Sequence, residues 1–414
     1  MKKSPFDVFR YRDFAIMWWG VFIAQIGFEM QMVAINWEMY SMTGSALSLG
    51  IIGLMRFAPV FLFSLISGMC ADMFSKKKIM FISQFFMMLS SGLLFYLTIT
   101  HALTPVLVFG IILIYSTALV FVGPSRQSMI PHLVPRPHFM QAVALNAMLW
   151  QTAQIIGPAV SGFIIGSFGV APIFAISMCS FAAINIALLL IKPIPNMTHA
   201  SSEFSLSAIK IGMRFVKRTP LIWSTMFLDF FASFFASSMT LMPIFAKNIL
   251  HGGPQTLGLL YAAPSFGAIA AGLLFSSLGN VKRQGKILVV SVLIYGFATI
   301  AFGLSRSLPL SLFILLFSGV GDALSGIIRN TVRQMMTPDH LRGRMNSIMM
   351  IFYLGGPQLG EVEAGIAASL LGTPLSVVFG GVGTIFMTIL MIKKVPQLLS
   401  YDSHEDIRLY NNKV

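Results

Sequence analysis

The chain is 414 residues long, 56% hydrophobic and only 10% charged, whereas a soluble domain is about 25% charged, so a water-soluble globular fold is excluded. The net charge of +14 does not indicate nucleic acid: 25 of the 28 Lys and Arg residues are split among seven loops and tails with no aromatic-interleaved patch. Lipid headgroups are the simpler partner, and no nucleic-acid partner is expected. Cys70 and Cys179 both fall in apolar runs, which argues against a disulfide framework.

A bilayer core about 30 Å thick takes roughly 20 apolar residues per helix, and by that measure the sequence predicts twelve spans. The first six cover 14–40, 46–71, 79–99, 104–129, 140–166 and 170–191. The second six cover 220–248, 255–279, 287–305, 308–332, 345–371 and 374–392. The first apolar stretch is too long for a cleavable signal peptide and leads into more of the same, so none is expected. Turns on the outer side are short and rich in small or turn-forming residues, as in Thr43-Gly44-Ser45 and Gly372-Thr373-Pro374. Of the 28 basic residues, 25 fall in the tails, in alternate gaps or, like Arg126 and Arg329, at the span ends that border those gaps, the exceptions being Arg56, Lys247 and Arg306. Cytoplasmic loops retain Lys and Arg during insertion, so this spacing predicts that both termini are cytoplasmic.

Charge within the bilayer costs several kcal/mol, about 2.5–3.5 even on insertion scales, so each buried ionisable group needs a reason. In span one, Gln25, Glu29, Asn36 and Tyr40 form a narrow stripe, with Glu38 close to the outer surface. Span two carries Arg56, the only basic group near mid-depth, which reads as an ion-pair partner or an anchor for an anionic substrate. Span seven repeats the pattern with Thr225, Asp229, Ser233, Ser237 and Thr240, and span ten with Ser318, Asp322, Ser325 and Arg329. In span eleven, Glu361 and Glu363 are about 200° apart around the helix and cannot share a face. Each acid has two readings: handling of protons or substrate, or a structural hydrogen bond or ion pair. Glu29 and Asp229, nearest the middle of their spans, lead the first reading.

No histidine falls well inside a span, and no nucleotide-binding Gly-rich loop is present, so a histidine relay and ATP hydrolysis are disfavoured. No enzymatic chemistry, cofactor or metal is expected. Pro59, Pro158, Pro264 and Pro357 interrupt apolar helices and allow bends.

The chain also repeats itself. Arg126-Gln127 precedes Pro131 as Arg333-Gln334 precedes Pro338, half the chain later. Asn146 precedes Gly157-Pro158, and Asn346 precedes Gly356-Pro357. This predicts an all-α membrane protein of twelve transmembrane helices in two pseudo-symmetric six-helix bundles. The bundles would cover 1–191 and 220–414, with a cytoplasmic linker over 192–219. Transporters use such an arrangement, binding substrate near the midplane between halves. In the linker, Phe204, Ala208, Ile211 and Phe215 fall on one helical face and Lys210, Arg214 and Lys217 on another, which suits a helix lying on the inner membrane surface.

The segment Gly68-Met69-Cys70-Ala71-Asp72-Met73-Phe74-Ser75-Lys76-Lys77-Lys78 resembles the loop signature of the major facilitator superfamily between spans two and three. Gly68, Asp72, Lys76 and Lys78 fit that pattern, while Met73 and Ser75 depart from it. The run Gly157-Pro158-Ala159-Val160-Ser161-Gly162 resembles the superfamily's fifth-span antiporter motif, without its final paired glycines. Phe9-Arg10-Tyr11-Arg12-Asp13-Phe14, Trp37-Glu38-Met39-Tyr40, Tyr261-Ala262-Ala263-Pro264 and the stretch from Thr337 to Arg344 are similar to the branch containing enterobactin exporters and macrolide efflux pumps.

The resemblance implies that spans one, seven and ten line a central cavity and that the loop after span two latches the cytoplasmic side. It further implies a monomer in the bacterial inner membrane. The function expected is a proton-driven exporter of an amphipathic small molecule, siderophore or macrolide-like drug, working by alternating access. Its substrate or proton pathway would include Gln25, Glu29, Asn36, Arg56, Asp229, Ser233, Asp322, Glu361 and Glu363. A lipid or lysophospholipid flippase of the same fold is the alternative, and a non-transporting sensor or scaffold a third.

Overall fold

A computed structural model of the chain describes residues 5–192, 213–277, 281–338 and 342–402, and every regular element among them is helical. Twelve long helices follow one another: α1 Arg12–Thr43, α2 Ala46–Met73, α3 Lys76–Ile99, α4 Pro105–Leu133, α5 Phe139–Phe168, α6 Ala171–Leu190, α7 Pro220–Phe235, α8 Pro254–Ser277, α9 Gln284–Leu304, α10 Leu308–Met336, α11 Arg342–Leu371 and α12 Thr373–Lys394. Eleven of the spans have both the length and the mean hydropathy to cross a membrane, that of α7 when extended to Ile249. The remaining helix, α11, has the length, 30 residues or about 45 Å. A helix lies over each of the twelve expected spans, with ends moved by a few residues except in span seven. The expected surface helix of the linker falls mostly outside the described residues, Phe204, Ala208, Lys210 and Ile211 included; residues 213–218, with Phe215 and Lys217, are helical.

Local chemistry sets the helix ends. After α1 the chain turns at Gly44, whose φ of 60° is left-handed backbone, and its N–H closes on the Tyr40 carbonyl at 2.8 Å. Gly372 (φ 84°) makes the corresponding break before α12, whose second residue is Pro374. The side chain of Thr104 accepts from the Leu107 N–H and caps α4. Bends are licensed by Pro59, Pro158, Pro264 and Pro357, each inside its helix, as are Pro124 and Pro131 in α4.

Span seven departs from the single helix expected over 220–248. α7 stops at Phe235 and continues as a 3-10 turn (Ser238–Leu241), a short helical turn and a π turn (Phe245–Ile249). The Ser237 hydroxyl explains part of this. It donates back to the Ser233 carbonyl at 2.7 Å and across to the Pro357 carbonyl of α11 at 3.2 Å, competing with the helical ladder.

Contacts divide the chain into two compact units. The first comprises α1, α3–α6, most of α2 and the first turns of α8 (Gly252–Ala262). The second comprises α7, α9–α12, the rest of α8 and the first turns of α2 (Ser45–Leu54). Within the first, α1 packs on α5 and α6, and α3 on α4 and α6. Within the second, α7 packs on α11 and α12, and α9 on α10 and α12, the same pairing shifted by six helices. Phe14, Met17, Met80, Tyr115 and Phe181 are among the buried core of the first unit, and Leu228, Leu288, Val292, Ile328 and Val332 among that of the second. Outer faces carry exposed large apolar side chains such as Phe61, Phe163, Leu273, Phe313 and Leu370. Hydrocarbon accommodates such faces and water does not.

Near the C-terminal end of α2, Gly68 has open space around it and the Asp72 side chain lies outside the described residues. Among the described residues it is Lys77, not Lys76 or Lys78, that reaches a neighbour. Its Nζ donates at 2.6 Å to the carbonyl of Ile191, the C-cap of α6, where helix carbonyls lack partners and the dipole is negative. Lys77→Ala is expected to cost about 1 kcal/mol, read as a lower melting temperature in detergent, whereas Lys76→Ala and Lys78→Ala should melt with the parent.

Candidate functional site

In the first unit, the polar stripe of α1 resolves into two stations. Gln25 Nε2 donates to Glu29 Oε1 at 2.9 Å, one helical turn away. The Arg56 guanidinium acts electrostatically on Glu29, and both act on the buried Tyr115 of α4. The backbone of α5 closes the other side. A Cβ placed on Gly157 would collide with the Glu29 Cβ and lie 3.3 Å from the Ile26 carbonyl oxygen. The acid of α1 and the antiporter-like Gly157-Pro158 pair, singled out separately in the sequence, are thus in contact. Further along α1, Asn36 Nδ2 donates to the Tyr261 hydroxyl of α8 at 3.0 Å. Gly162 of α5 meets α8 as well: a Cβ there would sit 2.6 Å from the Pro254 carbonyl oxygen and 2.8 Å from Gly258 Cα. Glu38 is half-buried near the end of α1.

In the second unit the acid of α7 is part of an ion network. Asp229 Oδ1 lies 3.1 Å from Arg329 Nη2, and Oδ2 lies 3.0 Å from Arg333 Nη1. Arg333 is held further by Nε donating to the Arg329 carbonyl at 3.1 Å and Nη2 donating to Asn330 Oδ1 at 2.7 Å. Arg329 Nη2 also lies 3.5 Å from Asp322 Oδ1, two turns back along α10. For Asp229 the structural reading, an ion pair, is therefore realised. Ser233 sits one turn beyond it on α7 and supplies its carbonyl to Ser237.

Glu361 and Glu363 have different surroundings. The Glu361 side chain packs on α2, where a Cβ on Gly53 would lie 2.6 Å from Glu361 Cβ and 2.9 Å from its Oε2. Glu363 is half-buried and forms no hydrogen bond or ion pair among the described residues. An apolar cavity of about 260 Å³ lies elsewhere in this unit, lined by Met213, Val216, Lys217, Trp223, Phe227 and Phe352. Cys70 and Cys179 are free thiols. Among the described residues no cluster of His, Cys, Asp and Glu is placed to hold a metal.

Two arginines were underrated by sequence. Arg333 belongs, by charge alone, with the cytoplasmic basic residues, yet α10 runs on to Met336 and buries it beside Asp229. The available signal was helical spacing, since Arg333 follows Arg329 by one turn. The internal repeat was the second signal. Its first-half counterpart, Arg126 of α4, lies 4.8 Å over the Trp150 ring of α5, so the repeated arginine keeps its place and changes its partner from an acid to an aromatic face.

Comparison with known proteins adds ancestry to this geometry. The model of a family described as transmembrane secretion effector matches residues 3–413. The enterobactin exporters EntS of Escherichia coli O1:K1 and of Citrobacter koseri are each 23% identical over 381 residues, 91% of this chain and 90% of the relative. A solved structure of the nucleoside transporter NupG matches with a TM-score of 0.71 at 13% identity, covering 92% of this chain and 99% of that one. A peptide transporter POT structure gives 0.72 at 10% identity, with 94% and 95% covered. A bacterial homolog of the human lysosomal transporter Spinster gives 0.69 at 13% identity, with 94% and 96% covered. At these identities the solved structures speak for the fold alone.

Proposed function

This chain belongs to the transmembrane secretion effector family of the major facilitator superfamily, and from that membership we propose that it is a secondary exporter of an amphipathic small organic molecule. Inward proton flow drives it, and the cargo is a siderophore or a macrolide-like drug. The observation that carries the proton reading is the placement of membrane-depth acids in two stations, one per unit. These are Gln25–Glu29 with Arg56 and Gly157, and Asp229–Asp322 with Arg329 and Arg333. Charges at that depth are retained where they move ions or bind cargo. The full-length likeness to enterobactin exporters supports outward transport and makes a siderophore the first cargo to test.

In this reading the bundles 1–191 and 220–414 alternate access, with 192–219 as the tether. The loop carrying Gly68, Asp72, Lys76 and Lys78 latches the cytoplasmic face, while Gly157, Pro158 and Gly162 set the packing of the antiporter-like helix. The protein works as a monomer in the bacterial inner membrane with both termini in the cytoplasm, the side on which the tails and alternate loops carry most of its basic residues.

The test compares cells with and without the protein under iron limitation, by mass spectrometry of cytoplasm and medium. An iron chelator should build up inside the deletion strain and fade from its medium. Unchanged chelator secretion would remove the siderophore and leave drug efflux or lipid movement.

A further inference from the structure

The ion network of the second unit balances two cations with two anions, but its members are unequally presented. The side chains of Arg329 and Arg333 are 4% exposed and that of Asp229 8%, whereas Asp322 is 58% exposed. Both oxygens of Asp229 are taken, at 3.1 and 3.0 Å. Asp322 has one long contact, 3.5 Å from Arg329 Nη2, the same nitrogen that Asp229 uses. Arg329 Nε and Nη1 are buried with no hydrogen-bond partner, so its hold on both acids runs through Nη2 alone. A molecule reaching this network meets a carboxylate, not a guanidinium.

Asp322 is also turned away from the apolar face of its helix. The exposed Phe313 and Phe317 precede it by nine and five residues, about 180° and 140° around the helix, while Arg329 lies about 20° from it. The charged or titratable groups that act on Asp322 among the described residues are Arg329 on its own helix, Asp229 from α7 and Tyr295 from α9.

We propose that Asp322 is the exchange point of this unit, where a proton and a cationic or hydrogen-bond-donating pole of the cargo compete for one carboxylate. Asp229, Arg329 and Arg333 form the fixed anchor beside it. The inference rests on the proton-coupled export reading above and narrows the cargo to molecules with an ammonium, amine or hydroxyl donor at one end. With Asp322 ionised the network is neutral and the free oxygen accepts the cargo's donor. When a proton adds to that oxygen, no other bond changes, the acceptor is lost and the network gains one positive charge. A cationic pole is then released. Competition for a single site is what couples two opposed fluxes.

Purified full-length protein in detergent, with ethidium as the cationic probe, tests this by fluorescence anisotropy at pH 8 and pH 6. Binding to wild type should weaken at least about fivefold on acidification, the low end of ordinary linkage between two ligands. Asp322→Asn should bind weakly at both pH values, and Asp322→Glu should restore affinity and pH dependence. Infrared difference spectra between the two pH values should show a protonated-carboxyl carbonyl band that Asp322→Asn removes. The proposal is overturned if Asp322→Asn keeps both the wild-type affinity and its pH dependence, if the band survives in that variant, or if wild type does not bind ethidium at pH 8. If cells with and without the wild-type protein export alike while purified wild type keeps the band and its pH-dependent binding, the transport reading falls and the assignment of Asp322 stands. Intact export without the band would count against Asp322 alone.

Discussion

Asp229→Ala is expected to destabilise the protein by about 3–5 kcal/mol, the range for breaking a buried ion pair from one side. The reason is what remains: two guanidiniums, each 4% exposed, with the acid that both contact removed. Arg329 already has two buried nitrogens without partners, so it has little left to compensate with. Asp322 is the only other acid in the network, and its single contact is longer and far more exposed. The same substitution at Asp322 should cost at most about 1 kcal/mol, as for an exposed pair. Removing charge evenly should soften the loss, so Asp229→Leu combined with Arg333→Leu should melt above Asp229→Ala. Thermal unfolding in detergent, followed by tryptophan fluorescence, separates these cases. Asp229→Ala melting alongside wild type would mean that the pair does not hold α7 to α10.

How far this network was legible in the sequence depends on which interaction is at issue. The spans were readable because hydrocarbon forces every backbone polar group into helical hydrogen bonds and every outer face to be apolar. Gly44 and Gly372 marked turns because those positions need left-handed backbone. The stripes on α1, α7 and α10 were readable from helical spacing, and so was the shared face of Asp322 and Arg329. Which acid is held and which is presented was not, since it depends on how far α10 continues and on what α7 sets opposite it. Arg333 shows the limit. Its charge placed it with the loops, and only the packing of two helices distant in sequence makes it a partner of Asp229. The break after Phe235 was hidden for a similar reason. Ser237 reads as one more polar residue in the stripe until its hydroxyl is seen reaching the Pro357 carbonyl.

The contact between Glu29 and Gly157 was equally invisible, and it yields the largest functional effect expected in the first unit. Glu29→Gln keeps the size of the side chain and can remake a hydrogen bond with Gln25, so stability should stay close to wild type. Export, if it is coupled to protons through Glu29 as proposed, should nevertheless fall at least about tenfold, equivalent to about 1.4 kcal/mol, because an amide cannot take up and release a proton. Gly157→Ala approaches the same station from α5. Its new Cβ lands on the Glu29 Cβ, so α1 and α5 must separate or Glu29 must move. Overpacking of this kind costs about 1–3 kcal/mol, and the displaced acid should reduce export as well. The two variants together separate chemistry from packing. If Glu29→Gln exports normally while Gly157→Ala does not, the station is a packing contact and its acid is structural. If Glu29→Gln alone abolishes export in a protein that melts normally, the carboxyl itself takes part in transport, and Gly157 is the residue that lets α5 approach it.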